Sequence, residues 1–426
     1  MMKDTSPDNK RNLGGGVFPL PKKALPGRAE NMKVLFYSHD TMGLGHLQRN
    51  LKIATILKSV YPRLSISMLT GSTYTAHFDR FPGIDFIRIP PVRKIGKEKY
   101  DSFYSEDSFD SVFQKRKTII LESVKNLKPG IFWVDHAPIG MKGELLPALD
   151  WISENRSTTL TVLGLRDIID APSNIIPLWK EQRIFDTLRS FYDRIFIYGD
   201  RTIFDPVKEY DLTPDIIEKT FFTGYIMNIA DGFSSGEPDE ESSSKKRVFV
   251  TIGGGEWAGE TVIGNLLEAI RGFKAEIPFD ISIVAGPFIP EQLWRRYSDL
   301  AAGLPVRLYK FVADIRPYVL SSDLVVSTAG YNTVTDVLGY GKRALFIPRI
   351  KFRQEQLLRS RRFAELGIVD MLYPDEVSSD SLIDKITEMT SGNDRPVEEA
   401  RRKRLINIYG AEFLADYIND MKTAVK

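Results

Sequence analysis

Hydrophobic positions along this chain alternate between two arrangements. Short runs of β-branched and aromatic residues are followed by longer stretches whose apolar positions recur at three- and four-residue spacing. That alternation predicts parallel sheets covered by helices, an α/β fold. In the first half, strands are expected at Lys33–Ser38, Leu64–Thr70, Asp85–Ile89, Ile131–Asp135, Thr158–Leu163, Arg194–Tyr198 and Phe221–Gly224. Helices are expected to begin near Leu44, Ser108, Gly143 and Pro177. The pattern stops at Asn228, and residues 228–246 are polar and aperiodic, as a linker would be. It then restarts with strands at Val248–Ile252, Ile281–Ala285, Val306–Phe311, Leu324–Ser327, Arg343–Ile347 and Val369–Leu372. Helices fall near Thr261–Phe273, Glu291–Ala302, Tyr331–Gly339 and Arg353–Leu366, and a last helix spans about Val397 to Ala424.

The chain divides accordingly into a leader (1–31), a first α/β domain (32–227), the linker (228–246), a second α/β domain (247–395) and a closing helix (396–426). Two such domains are what 426 residues support. Two halves on one linker imply a cleft, and α/β sheets bind ligands beyond the carboxyl ends of their strands. The chemistry is therefore expected in loops that follow strands.

Composition narrows the class. Hydrophobic content of 42% and charged content of 27% are those of a soluble globular protein. No apolar run approaches the roughly 18 residues that span a bilayer. The first thirty residues are polar, basic and rich in Pro and Gly, which reads as a disordered leader without a secretory core. With no cysteine, disulfides, thiol catalysis and zinc–thiolate sites are excluded, and the cytoplasm is the expected location. A net charge of +2 gives no nucleic-acid footprint. Basic clusters at Arg93, Lys94, Lys97 and Lys99, and from Arg401 to Arg404, read first as solvated surface and leave peripheral contact with an anionic membrane open.

The unusual residues cluster where the topology places a site. The first strand runs into Gly43, Gly45 and His46, a turn that lets backbone approach a ligand at a helix start. There the helix dipole favours a neutral imidazole, fit to act as a base. The plain alternative is a histidine capping its own helix. The four histidines, His39, His46, His77 and His136, each lie just past an expected strand end. Asp135 and His136 follow one strand and Asp167 another, so His46, Asp135, His136 and Asp167 are expected to share a pocket, while His77 reads as a loop residue. In the second half, Gly253, Gly254 and Gly255 between strand and helix form a backbone-lined anion cradle. Ser327-Thr328-Ala329-Gly330-Tyr331-Asn332-Thr333 leaves a second helix N-terminus open, with Asp336 one turn inside it. Histidine spacing and the lack of a convincing Asp-x-Asp at a strand end argue against a metal site, and no Gly-x-Ser-x-Gly occurs.

These residues resemble a known family. Gly43-Leu44-Gly45-His46-Leu47-Gln48-Arg49 is similar to the amino-terminal loop of the two-domain GT-B glycosyltransferases, nearest to family 28. Lys310-Phe311-Val312-Ala313-Asp314, the segment from Ser327 to Asp336, Gly341 to Arg349, and Arg353-Gln354-Glu355-Gln356 follow the same family's nucleotide-sugar half. The resemblance implies two Rossmann-like domains with parallel sheets facing a central cleft. It implies transfer from a nucleotide-diphosphate sugar, UDP-linked by expectation, to an unknown acceptor, with inversion, without metal and without a cofactor. Backbone at Phe311 and Val312 would read the base. Ala329, Gly330, Tyr331, Asn332 and Thr333 would hold the diphosphate with Gly253 to Gly255, Asp336 the ribose, and Glu355 and Gln356 the donor sugar. His46, with Asp135 and His136 as further candidates, would act at the reacting centre. The shorter Asp336 departs from the glutamate usual there. The first half matches weakly, so the acceptor is not inherited. A nucleotide-sugar hydrolase, a 2-epimerase of the same fold and a non-catalytic nucleotide-sugar binder are the competing readings.

Overall fold

The computed structural model describes residues 32–40, 44–75, 81, 83–96, 99–104, 106–155, 158–227, 244–253, 259–273, 277–351, 353–391 and 404–423. The expected leader, His77, Gly43, Gly254, Gly255 and most of the linker lie outside them. In chain order the strands of the first half are β1 (Lys33–Tyr37), β2 (Ser65–Thr70), β3 (Ile84–Arg88), β4 (Val92–Gly96), β5 (Lys99–Ser102), β6 (Ile131–Asp135), β7 (Leu160–Arg166), β8 (Arg194–Tyr198) and β9 (Thr220–Phe222). Those of the second half are β10 (Lys246–Thr251), β11 (Phe279–Val284), β12 (Val306–Tyr309), β13 (Leu324–Ser327), β14 (Arg343–Phe346) and β15 (Asp370–Met371). Seven form one parallel sheet in the order β3-β2-β1-β6-β7-β8-β9, and six form another in the order β12-β11-β10-β13-β14-β15. Every residue of β6 and β8 is buried, because helices cover both faces.

Five helices build or brace the cleft between the sheets: α1 (Gly45–Val60), α2 (Phe109–Leu127), α3 (Tyr331–Tyr340), α4 (Glu355–Glu365) and α5 (Gly410–Thr423). α1 buries Leu47, Leu51, Ala54 and Leu57, the three- and four-residue repeat that predicted it. α2 opens where Ser108 accepts from the Ser111 N–H, and α3 stops at Gly341, whose φ of 68° suits glycine. One apolar cluster runs from beneath the first sheet through α1 and α3 into the second, joining Leu47 and Leu51 to Val325, Val334 and Phe346.

Several expectations are corrected. The helix expected to start at Pro177 begins at Pro172, so Pro177 lies inside it. The one expected at Gly143 is a single 3₁₀ turn, Met141–Gly143, before a helix at Leu146–Glu154. The helix expected at Thr261 opens as a π-helical turn over Gly259–Gly264. β4 and β5 form an antiparallel hairpin that the alternating pattern does not show. At the carboxyl end the expected helix appears as α5, with residues 392–403 outside those described, and it is preceded by a helix at Ser379–Ser391 that was not expected. α5 returns to the first sheet. There Tyr61 Oη donates to the Ala415 carbonyl at 2.8 Å and Arg194 Nε to Tyr417 Oη at 2.5 Å.

Candidate active site

In each sheet the strand order reverses once, between β1 and β6 in the first and between β10 and β13 in the second. Connections leaving such neighbouring strands run to opposite faces and open a crevice. His39 and α1 follow β1, and Asp135 and His136 close β6. Gly253 follows β10, and Ala329 and Gly330 follow β13. The residues singled out for chemistry thus come from the two crevices, which α1 and α3 bring together.

His46 is the second residue of α1, whose N-cap is Leu44 without a side-chain cap, so His46 is not capping its helix. Its Nδ1 lies 2.6 Å from Asp135 Oδ2. Asp135 Oδ1 accepts Arg49 Nε at 3.1 Å and Nη2 at 2.5 Å. Arg49 Nη2 also stands 3.1 Å from His46 Nδ1. Guanidinium nitrogens only donate, so the shared carboxylate is the acceptor and His46 Nδ1 carries the ring proton. The unprotonated nitrogen is then Nε2. Burial drives the His46 pKa down to about 4, against the opposing pull of Asp135. For Asp135, burial alone would raise the pKa, but Arg49 and His46 outweigh it and hold the carboxyl at about 2. The pair at neutral pH is therefore a carboxylate and a neutral imidazole with a lone pair on Nε2, the arrangement that serves a general base. The cause is desolvation, whereas the sequence pointed to the helix dipole.

His136 sits beside it. The rings of His46 and His136 are 5.0 Å apart and those of His39 and His46 5.7 Å. His136 adopts a φ of 65°, uncommon for a side-chain-bearing residue, and its N–H donates to the Gly164 carbonyl at 2.8 Å. Its Nδ1 is buried with no partner among the described residues. So are Arg166 Nε and Nη2, Arg349 Nε and Glu355 Oε2. Arg166 Nη1 and Arg349 Nη2 each stand 3.9 Å from Glu355 Oε1. Burial lowers the Arg166 pKa to about 10, with Glu355 acting against it and Arg353 adding to it. Arg49 is neutralised by Asp135, but Arg166 and Arg349 share Glu355 as their carboxylate among the described residues, and Arg353 adds to the charge around Arg166, a positive surplus suited to an anionic ligand.

On the second-domain side, Gly330 caps α3 without any side-chain cap, and a Cβ built on Gly330 or Gly253 meets nothing within 4 Å. The first N–H groups of α3 are thus left to the cleft. Ala329 holds a φ of 61° while its carbonyl accepts Arg359 Nη1 at 2.9 Å. Phe311 and Val312, just past β12, are half-buried, and the Phe311 ring is 5.5 Å from Tyr74 of the first half. Glu355 and Gln356 open α4, and Gln356 Oε1 accepts the Arg349 N–H at 2.9 Å.

One expectation changes. Asp167 is not in the His46 pocket: Arg359 clamps both its oxygens at 2.6 and 2.7 Å and Tyr225 Oη donates at 2.9 Å, a buried tie between the halves. Asp336 lies one turn inside α3, as expected, and is buried with Lys52 Nζ of α1 at 3.1 Å. Asn332 Nδ2 likewise reaches the Gly45 carbonyl at 3.0 Å. Arg49, Arg166 and Arg349 were not foreseen. Arg49 had a signal, standing three residues after His46 on one helix face. Among the described residues, no three His, Cys, Asp or Glu side chains are placed to hold a metal ion.

Comparison with known proteins bears on the second half and on the fold. Residues 248–419 match the glycosyltransferase family 28 C-terminal domain. The UDP-N-acetylglucosamine–N-acetylmuramyl-(pentapeptide) pyrophosphoryl-undecaprenol N-acetylglucosamine transferase 2 of Bacillus thuringiensis subsp. konkukian is 31% identical over 188 residues, covering 42% of this chain and 49% of its own. The corresponding transferase of Rubrobacter xylanophilus is 26% identical over 140 residues, 32% of this chain and 40% of that protein. The chain therefore spans half or less of the length of these curated relatives. Among solved structures, glycosyltransferase VinC in complex with dTDP gives a TM-score of 0.60 at 13% identity, covering 92% of this chain and 99% of that one. MurG of Acinetobacter baumannii gives 0.51 at 15% identity, covering 91% and 99%. A UDP-N-acetylglucosamine 2-epimerase, assigned as such from Listeria monocytogenes, gives 0.58 at 13%, covering 92% and 95%. At these identities the likeness is one of fold, and the fold is GT-B.

Proposed function

We propose, the second half being a family 28 C-terminal domain within a GT-B fold, that the chain transfers a sugar from a nucleotide-diphosphate donor, UDP-linked, to a hydroxyl acceptor. The observation that carries this reading is the 2.6 Å His46–Asp135 pair standing at the cleft opposite the uncapped start of α3. His46 Nε2 takes the proton of the acceptor hydroxyl as the oxygen attacks the anomeric carbon and the bond to the diphosphate breaks. A single base of this kind, with the leaving group on the opposite face, gives inversion. Asp135 fixes the tautomer and stabilises the imidazolium that forms. The N–H groups of α3 and the under-compensated Arg166 receive the negative charge of the departing diphosphate, which supports a reaction without metal.

Within this reading Phe311 and Val312 hold the base, Ala329 to Thr333 with Gly253 to Gly255 the diphosphate, and Glu355 and Gln356 the donor sugar. Asp336 takes the ribose by sharing or displacing Lys52. His136 lines the acceptor side of His46. The curated Bacillus and Rubrobacter relatives act on a lipid-linked acceptor, and peripheral contact with the inner face of a membrane belongs to the same proposal.

The test is a panel of nucleotide sugars, followed by thermal shift and by release of nucleoside diphosphate in excess EDTA. Binding of one nucleoside diphosphate, with slow turnover that an acceptor accelerates and EDTA leaves intact, is the expected result. Rapid acceptor-independent hydrolysis, or isomerisation of the sugar, would replace transfer by hydrolase or epimerase chemistry. Loss in EDTA restored by magnesium or manganese would refute metal independence.

A further inference from the structure

His39 is the imidazole of the cluster to which base catalysis by His46 gives no task. It is buried at the end of β1, and its Nδ1 lies 3.3 Å from Tyr37 Oη. Tyr37 Oη donates to Glu144 Oε1 at 2.5 Å. Glu144 is held in turn by Arg116, whose Nε reaches Oε2 at 2.6 Å and whose Nη2 reaches Oε1 at 2.7 Å. Arg116 Nη1 donates to the Pro90 carbonyl at 2.7 Å, so α2 anchors the chain of contacts. Arg116 and Glu144 are fully buried.

A phenol has one proton to give. Tyr37 commits it to Glu144, so toward His39 the phenol oxygen can only accept. His39 Nδ1 must therefore carry the ring proton, and Nε2 is its accepting nitrogen. Asp135 imposes the same tautomer on His46. The two rings are 5.7 Å apart and almost perpendicular, at 87°. No described residue donates to either Nε2. Two neighbouring rings that both accept at Nε2 disfavour a phosphate or carboxylate oxygen, which is an acceptor as well. They match a ligand that brings two donors.

We propose that His39 is an acceptor-binding residue: as His46 takes the proton of the reacting hydroxyl, His39 Nε2 accepts a hydrogen bond from a neighbouring hydroxyl of the same acceptor. The acceptor group at this centre is then a polyhydroxyl compound, such as a sugar, rather than a lone alcohol or a phosphate. Tyr37 is the positioning residue that keeps His39 in the accepting tautomer. The assignment of the second hydroxyl rests on the transferase reading. The tautomer does not.

The test uses the full chain labelled with [15N]histidine. Wild type is expected to show His39 as a single Nδ1–H tautomer, and Tyr37→Phe to show a mixture while His46 stays unchanged. A wild-type His39 that is mixed or protonated on Nε2, or one indifferent to Tyr37→Phe, overturns the proposal whether or not transfer is observed. With the donor found in the nucleotide-sugar panel, transfer to methyl α-D-glucopyranoside and to ethanol is then compared with hydrolysis by water. One neutral hydrogen bond corresponds to roughly a tenfold effect. Tyr37→Phe and His39→Leu should lower the ratio of glycoside transfer to hydrolysis by that factor, and His39→Gln, which keeps an accepting oxygen, should restore most of it. Equal losses in transfer to ethanol, to the glycoside and to water would refute the second-hydroxyl contact while leaving the transferase reading in place. No diphosphate release with any donor would fail that reading alone.

Discussion

Replacing Asp135 with asparagine separates what the carboxylate does for the fold from what it does for the chemistry. The side chain is almost completely buried and its oxygens are shared between His46 and Arg49. The amide keeps the shape but removes the charge, leaving the Arg49 guanidinium buried and uncompensated. Breaking a buried pair from one side costs about 3–5 kcal/mol. For a domain of this size that is a fall in melting temperature of roughly 6–20 °C. The amide N–H₂ can also donate to His46 Nδ1, which favours the Nε2–H tautomer and removes the lone pair the reaction needs. A wrong tautomer in the equivalent aspartate–histidine arrangement of serine proteases costs about 10⁴ in rate. Asp135→Asn should therefore lower kcat by about 10³–10⁴ while nucleoside diphosphate affinity stays within a few-fold of wild type. The double variant Asp135→Asn with Arg49→Met removes the orphaned charge and should regain most of the melting temperature but none of the rate. Diphosphate release, differential scanning calorimetry and isothermal titration on the three proteins decide it. An Asp135→Asn enzyme within tenfold of wild type, or a double variant that regains its rate, would refute the base assignment.

Three other outcomes follow from the same geometry. Gly330→Val has room for its side chain, since nothing lies within 4 Å of a Cβ there, so it should fold normally yet block the start of α3. Unchanged nucleoside diphosphate affinity by calorimetry would move the diphosphate elsewhere. For pH, His46 is held at about 4 against an ordinary 6.5, so protonation favours the unfolded chain. Its contribution, about 3 kcal/mol, is intact above about pH 6.5 and lost as pH falls through 4, which urea midpoints at pH 7 and pH 4.5 will show. The acid limb of kcat/KM should fall near pH 4, and that of kcat higher, because the bound diphosphate favours the imidazolium. Arg359→Leu leaves Asp167 as a lone buried carboxylate and should cost about 3–5 kcal/mol by urea denaturation, whereas a change under about 1 kcal/mol would mean that the tie between the halves is dispensable.

The strand pattern was legible because both sheets are buried on two faces, so each strand is a continuous apolar run such as Ile131–Val134. The β4–β5 hairpin was not, since burial along β4 follows no steady alternation and β5 is only 4 residues long. His46, Asp135 and the Gly330 loop could be found because each follows a strand of the right kind. Arg166 and Asp167 show the limit. They are adjacent at one strand end, yet one faces Glu355 and the other Arg359, and only the packing of α4 separates the two. Lys52 and Asp336 meet across the halves from positions 284 residues apart, a contact that no local pattern encodes.

The return of α5 to the first sheet has a consequence for the order in which the molecule can be built. Phe196, in the middle of β8, stacks edge-on with Tyr417 at 4.9 Å, and the Tyr225 N–H donates to the Asn407 carbonyl at 2.9 Å. During synthesis the first sheet leaves the ribosome long before these partners exist. It must wait, with that aromatic surface uncovered, while the whole second half is made. The second half can complete its own sheet first, and α5, made after that sheet, then seals the one made before it.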